Sequence, residues 1–417
     1  MASDHPRQSG NACAKCGACT TVCPVYLATG RESLTARGRL HLLDKIPGDR
    51  QTGEYRDIFS KCLLCKACSR TCPREIDLPA MVVESRRRFP VMPGEGRLMR
   101  TLIGKCLPNH RILAGIGKLL RISEPLLAKL PPDSGLRLKL GLAGPQEHRK
   151  PSAGGLGAGA FTTAGKTEAP TGTLLFTGCY AAYLDKSIAA ASVELVNRKE
   201  NGAPQIPPAQ SCCGLAFYSN GQLEEARRLA RLNIRVFEES SAPIMVLCGS
   251  CFSHLAAYPE LLADDDRWRA RATAFAERLR EFSIFLINGE APAESEPKSP
   301  AAASGKKAVY HDPCHLRHRA ELKSAPRLLL DNLPGIELAA MPDSPKCCGF
   351  GGLFNLAHPD LSKRIAESAI EDILAAEPDL VITTCTGCLI QLRHHLALAD
   401  SGIRVLHLAE VLAGSTS

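Results

Sequence analysis

The sequence predicts a multidomain protein of α+β and α/β class, a helical module followed by two duplicated α/β domains. Three observations carry that prediction. The spacing CxxCxxCxxxCP occurs twice near the N-terminus, at Cys13, Cys16, Cys19 and Cys23 and, 49 residues later, at Cys62, Cys65, Cys68 and Cys72. A second, longer duplication sets Cys179, Cys212-Cys213-Gly214 and Cys248-x-x-Cys251 against Cys314, Cys347-Cys348-Gly349 and Cys385-x-x-Cys388, with offsets of 135, 135 and 137 residues. Two stretches rich in Gly, Ala, Pro, Ser and Thr, 145–172 and 289–307, separate these parts and read as linkers.

These markers divide the chain into a small cysteine module at 1–90, a basic helical segment at 91–144, a linker at 145–172, one α/β domain at 173–288, a linker at 289–307 and a second α/β domain at 308–417. Helix is expected in 91–144 because Ile112, Leu113, Ile116, Leu119 and Leu120 recur at helical spacing. TLLFTGC, PIMVLCGSC, AVYHDPC and DLVITTCTGC each read as a short buried strand with cysteine at its C-terminal end. An amphipathic helix follows each CCG, with Leu223, Ala226, Ala230 and Phe237 on one face in the first unit and Leu361, Ile365, Ala369 and Ile373 in the second. Strand–helix alternation implies mostly parallel sheets, which carry their chemistry outside the carboxyl ends of the strands, where the cysteines fall.

Composition narrows the class. The 417 residues include 19 cysteines, an odd number gathered in tight clusters, without a basic N-terminal region followed by an apolar stretch. That pattern favours metal binding in a reducing, cytoplasmic setting over a disulfide framework. The expected location is cytoplasmic, with peripheral attachment at the inner face of a membrane as an alternative, because no run of about 18 apolar residues is present. Net charge is +8, and the excess is concentrated between Arg86 and Lys150, where 14 Lys and Arg face four acids. A charge confined to one segment points to a docking surface for a partner, with no nucleic acid expected. Cys106 stands outside every motif and reads as a buried free thiol. GGLGAG at 154–159 resembles a nucleotide loop only superficially, since no strand precedes it.

Soft thiolate ligands on a compact loop suit iron–sulfur clusters, and CxxCxxCxxxCP is the ferredoxin-type form of such a loop. In duplicated motifs of this kind the fourth cysteine ligates the other cluster. The expected ligand sets are therefore Cys13, Cys16, Cys19 and Cys72 for one 4Fe–4S cluster, and Cys62, Cys65, Cys68 and Cys23 for the other. Zinc is the competing reading of the CxxC pairs, but the complete motif, present twice, weighs against it. The later sets hold five cysteines each, more than tetrahedral zinc or an ordinary cubane needs. Adjacent cysteines diverge in a strand, so a turn at Gly214 is expected to bring both sulfurs inward. Zinc and structural thiols or disulfides remain alternatives for these sets. His311, His315 and His318 flank Cys314, and His394-His395 follow Cys388; they read as ordinary polar residues beside the sites, with hydrogen bonding to cluster sulfurs or proton delivery as the alternative.

The CCG units resemble the cysteine-rich domains of heterodisulfide reductase catalytic subunits. A ferredoxin-type pair ahead of two such units, with VYLATGRESLTARGRLHLL between its motifs, is similar to the iron–sulfur subunits of glycolate oxidase, lactate dehydrogenase and anaerobic glycerol-3-phosphate dehydrogenase. The resemblance covers nearly the whole chain apart from the linkers. It implies two further noncubane 4Fe–4S clusters, one on Cys179, Cys212, Cys213, Cys248 and Cys251 and one on Cys314, Cys347, Cys348, Cys385 and Cys388.

No flavin or nicotinamide fingerprint is visible, and a cluster accepts one electron where a 2-hydroxy acid gives up a hydride. The expected role is therefore an electron-transfer subunit of an oxidoreductase complex. It would relay electrons from a flavoprotein dehydrogenase acting on lactate or glycolate toward a quinone or other membrane-associated acceptor. The alternative is a heterodisulfide-reductase-like subunit that reduces a disulfide at a noncubane cluster. Catalytic residues are not assigned.

Overall fold

The computed structural model describes residues 13–46, 52–88, 172–287, 305–317, 320–342 and 346–414, with isolated helical positions between 112 and 119. Cys106, His318, most of the basic segment and the bulk of both expected linkers lie outside the described residues. The second α/β unit begins with strand at Lys306, two residues inside the stretch expected as linker.

The N-terminal module is helical throughout, with α1 (Ala18–Thr21), α2 (Pro24–Thr29), α3 (Ala36–Lys45), α4 (Gly53–Ser60), α5 (Ala67–Thr71) and α6 (Leu78–Arg88). Pro24 opens α2, where a missing amide hydrogen costs nothing. Thr35 and Thr52 cap α3 and α4, their hydroxyls accepting from the amides of Gly38 and Tyr55 at 3.1 and 3.3 Å. Leu34, Leu40, Ile58, Phe59, Leu78 and Val82 form the small core, with Tyr55 stacked on Phe59 at 4.4 Å. So small a core buries little by itself, and Cys347, Phe354, Leu361 and Ile365 of the second α/β unit complete it.

Both α/β units carry wholly parallel sheets. In the first, β1 (Leu174–Phe176), β2 (Ile244–Val246) and β3 (Leu279–Glu281) lie in sequence order. In the second, β4 (Lys306–Tyr310), β5 (Ile336–Leu338), β6 (Leu380–Thr383) and β7 (Arg404–His407) take the order β5-β4-β6-β7. A single parallel bridge between Leu174 and Gln205 stands in the first unit where β5 stands in the second. The apolar runs of β1, β2 and β6 are buried at every position, as expected of parallel strands covered on both faces. The helices expected after each CCG are present at Leu223–Phe237 and Pro359–Ala375; Ala226, Ala230 and Phe237 are buried on the first, and Leu361, Ile365, Ala369 and Ile373 on the second. Among the described residues no helix is long and apolar enough to cross a membrane.

The two units share their interior. Val246 and Phe252 of the first lie in one apolar cluster with Val309, Leu316 and Val381 of the second. Across the junction Gly249 N–H donates to the Thr384 carbonyl at 2.9 Å, and Arg393 pairs with Asp185 at 2.8 Å. Gly221 marks the other junction. Its φ of +78° is left-handed, and a Cβ there would meet the Arg86 backbone at 2.3 Å.

Gly221→Ala should therefore cost more than the roughly 1–2 kcal/mol of a left-handed alanine, because α6 must also move. Gly30→Ala is the control, since Gly30 has φ +66° and open space around it. Denaturant unfolding of both variants checks this, and equal losses would show that Gly221 does not govern the docking of α6.

Candidate metal centres

The first two cysteine motifs curl by the same backbone device. Lys15 and Gly17 have φ of +55° and +84°, and their counterparts 49 residues on, Leu64 and Lys66, have +55° and +62°. Left-handed residues alternating with cysteines wrap each loop, and a short helix then carries the chain away at α1 and α5. Cys13, Cys16, Cys19 and Cys72 line one cavity, with Cys68 at its edge. Cys23, Cys62, Cys65 and Cys68 line a second. The fourth cysteine of each motif thus lies with the first three of the other. Burial, then the Cys62 thiolate, pushes the Cys68 thiol up to about 12.

Two buried cations stand at this side of the module, Arg39 lining the second cavity and Arg86 bonded to the Cys62 carbonyl. Arg86 donates to the carbonyls of Phe59 (3.1 Å), Ser60 (2.9 Å), Cys62 (2.6 Å) and, in the first α/β unit, Ser219 (2.6 Å). Arg39 donates to the carbonyls of Ile58 (3.1 Å), Lys61 (2.6 Å) and Leu34. Neither is ion-paired with a carboxylate among the described residues. Burial lowers the Arg86 guanidinium to about 10, with Cys62 and Arg39 acting on it in opposite senses, so it stays charged at neutral pH. A buried charge needs a partner, and an anionic cluster on the nearby thiols would supply one. This corrects the reading of Arg86 as part of an exposed docking run: it belongs to the interior.

In the α/β units every motif cysteine sits past a strand end or at the CCG turn. Gly214 and Gly349, with φ of +92° and +81°, turn the chain so that both members of each cysteine pair are buried. In the first unit the sulfurs form a hydrogen-bonded series. Cys213 falls to about 6 because Cys212 and Cys251 donate to it, while Cys179 rises because it donates to Cys212 and is buried. In the second, Cys348 and Cys388 are 3.1 Å apart. Cys347 is lowered by donation from Cys314 and Cys348. Five crowded thiols cannot all ionise without a cationic partner, and the donor set fits iron. No disulfide links the described cysteines.

The two sets meet at the unit junction. Cys248 accepts hydrogen bonds from Cys251 and from Cys385 of the other unit, which lowers its thiol. Thr386 and Ser250 hydroxyls lie 3.2 Å from the Cys248 sulfur, and Ser250 is 3.5 Å from Cys385. The second set also approaches the helical module: after burial, Cys347 is the group that most raises the Cys65 thiol. Of the candidate histidines, His311 faces Cys348 and Cys388, and His315 Nδ1 lies 3.5 Å from the Cys314 sulfur. His395 pairs instead with Gln391 at 3.1 Å.

Residues 9–76 match the 4Fe-4S dicluster domain, and residues 173–256 and 308–393 each match the cysteine-rich CCG domain. The chain is 26% identical to the probable glycolate oxidase iron–sulfur subunit of Bacillus subtilis (strain 168), over 96% of this chain and 92% of the relative. It is likewise 26% identical to the glycolate oxidase iron–sulfur subunit of Escherichia coli (strain K12), over 93% and 90%. It is 33% identical to lactate utilization protein A of an Exiguobacterium species, over 57% of this chain and 95% of that protein. The chain belongs to the CCG iron–sulfur protein family. The dicluster and CCG matches support iron–sulfur clusters as the cofactors of this chain.

Some groups around these clusters gave no motif. Ser250 and Thr386 are the variable residues inside CxxC. Arg39 is a charged residue in a helix, a type seldom buried, and no cysteine spacing marks it. Tyr258 Oη donates to the Cys213 carbonyl at 2.8 Å from a helix the sequence did not mark.

If the cluster is the counter-charge of the buried cations, Arg86→Met should lower the thermal stability of cluster-loaded protein more than that of metal-free protein. Calorimetry of both states reads the difference. Equal losses would reduce Arg86 to a donor for backbone carbonyls.

Proposed function

We propose that this CCG iron–sulfur protein is the electron-relay subunit of a 2-hydroxy-acid dehydrogenase. In this reading it takes electrons from a flavoprotein partner that oxidises lactate or glycolate and passes them toward a quinone or another carrier. The observation that carries the reading is an unbroken succession of cysteine sets. Cys19 acts electrostatically on Cys68, Cys347 on Cys65, and Cys385 hydrogen-bonds Cys248, so neighbouring sets adjoin from the module to the first unit. Relatives named as glycolate oxidase iron–sulfur subunits and lactate utilization protein A supply the substrate class.

The proposed ligands are Cys13, Cys16, Cys19 and Cys72; Cys62, Cys65, Cys68 and Cys23; and the five cysteines of each CCG unit, held as noncubane 4Fe–4S centres. Bound clusters supply one-electron steps, so two successive transfers deplete a reduced flavin. The chain's own contribution is to hold thiolates, to exclude water and to fix the spacing of the sets. The seam between the CCG units is closed. Cys248, Cys251, Cys385 and Cys388 are buried, Leu316 of the second unit packs over Gly249, and the Gly249–Thr384 hydrogen bond closes the seam. A relay needs no opening there, whereas disulfide reduction would need a substrate sulfur to enter.

Anaerobically purified protein should contain iron and acid-labile sulfide equivalent to about four 4Fe–4S clusters. Half that content would confine clusters to the helical module, and zinc in their place would sink the reading. Offered a panel of small disulfides under a low-potential donor, the protein should release no thiol above a variant lacking Cys347 and Cys348. Turnover that disappears in that variant would make the chain a disulfide reductase.

A further inference from the structure

Equivalent positions of the two CCG units are chemically unequal beside their cysteines. Three residues before Cys179 stands Phe176, whereas three before Cys314 stands His311. Three residues after these cysteines the pair is Ala182 and Arg317. Phe176 is fully buried and packs on Phe237 at 5.8 Å. His311 is 3% exposed, and its Nε2 has no hydrogen-bond partner. A ring nitrogen of His311 and the sulfurs of Cys348 and Cys388 all lie within 4.8 Å of one another. An imidazole carries at least one N–H in either charge state, so the ring can donate.

Arg317 adds a charge on the same side. It donates to the Asp312 carbonyl at 3.1 Å and to the carbonyl of Lys346, the residue before Cys347, at 3.4 Å. A hydrogen-bond donor and a cation both stabilise the electron gained on reduction, and hydrogen bonds to cluster sulfurs raise the potential.

We propose that His311 donates its unpaired N–H to a sulfur of the second CCG centre, and that with Arg317 it makes this centre the more readily reduced of the duplicated pair. The proposal rests on the relay reading, in which both CCG units hold a cluster. Its consequence is that an electron shared between the units resides beside the helical module, against Cys65, rather than in the first unit.

The test is a redox titration of the full-length, anaerobically purified protein followed by electron paramagnetic resonance, with and without ¹⁵N-histidine. One CCG signal should carry a histidine nitrogen coupling and titrate at the higher potential. His311→Phe, which installs the first unit's residue, should abolish that coupling and lower that potential by at least a tenfold change in the one-electron equilibrium, about 59 mV. His311→Gln, which keeps an N–H donor, should restore most of the potential without the coupling. Arg317→Met should lower the same potential and keep the coupling. If both CCG signals are present and His311→Phe moves neither, the proposal fails while the relay reading stands. If wild-type protein gives no CCG cluster signal, the relay reading fails and takes the proposal with it.

Discussion

A single buried guanidinium holds three parts of this chain in register. Arg86, at the end of α6, gathers the carbonyls of Phe59 and Ser60 from the end of α4, of Cys62 from a cluster motif, and of Ser219 from the first CCG unit. Taking a charge out of water costs several kcal/mol unless hydrogen bonds and an opposite charge offset it. Backbone carbonyls satisfy the donors, and Arg39 close by brings a second buried cation to the same place. An anionic cluster on the adjoining thiols would balance both, and fold and cofactor would then be coupled at this point.

The CCG units meet by the same logic of strand ends. Parallel strands deliver their C-terminal ends to one side of a sheet, so β2 and β6 each end in a CxxC. Packing the units against each other then brings Cys248 to Cys385. Hydroxyls inside the motifs, Ser250 and Thr386, bridge the two sulfurs' surroundings. The helices after β3 and β7 are capped by side chains from the strands themselves: Glu281 accepts from the amides of Ser283 and Ile284, and His407 from that of Ala409. His407 also reaches across to the Leu247 carbonyl at 3.0 Å.

Duplication did not produce equivalence. The helical module completes its core against the second unit, through Phe354, Leu361 and Ile365, and sets Cys65 beside Cys347. The first unit touches the module through Ser219 and Gly221, at the end of α6. The second CCG unit thus both completes the module's core and packs against the first unit. It is also the unit that has exchanged Phe for His and Ala for Arg beside its first cysteine.

In the sequence, cysteine spacing marked the two duplications and the thiols that gather, and strand–helix alternation marked the parallel α/β character of the CCG units. Ligand spacing is a local property of the chain, and a strand followed by a cysteine at its end needs few residues to specify. Tertiary structure decided what lies around those thiols. Arg86 reads in sequence as the start of a basic surface run, yet it is buried, because docking of α6 closes over it. Ser250 and Thr386 look like filler within CxxC until the units pack. His311 resembles any polar neighbour of a cysteine until its ring is found against Cys348 and Cys388, which stand more than thirty residues away along the chain. Pairings of that kind depend on which sheet face and which unit come together, and hydrophobic period and motif spacing carry no record of either.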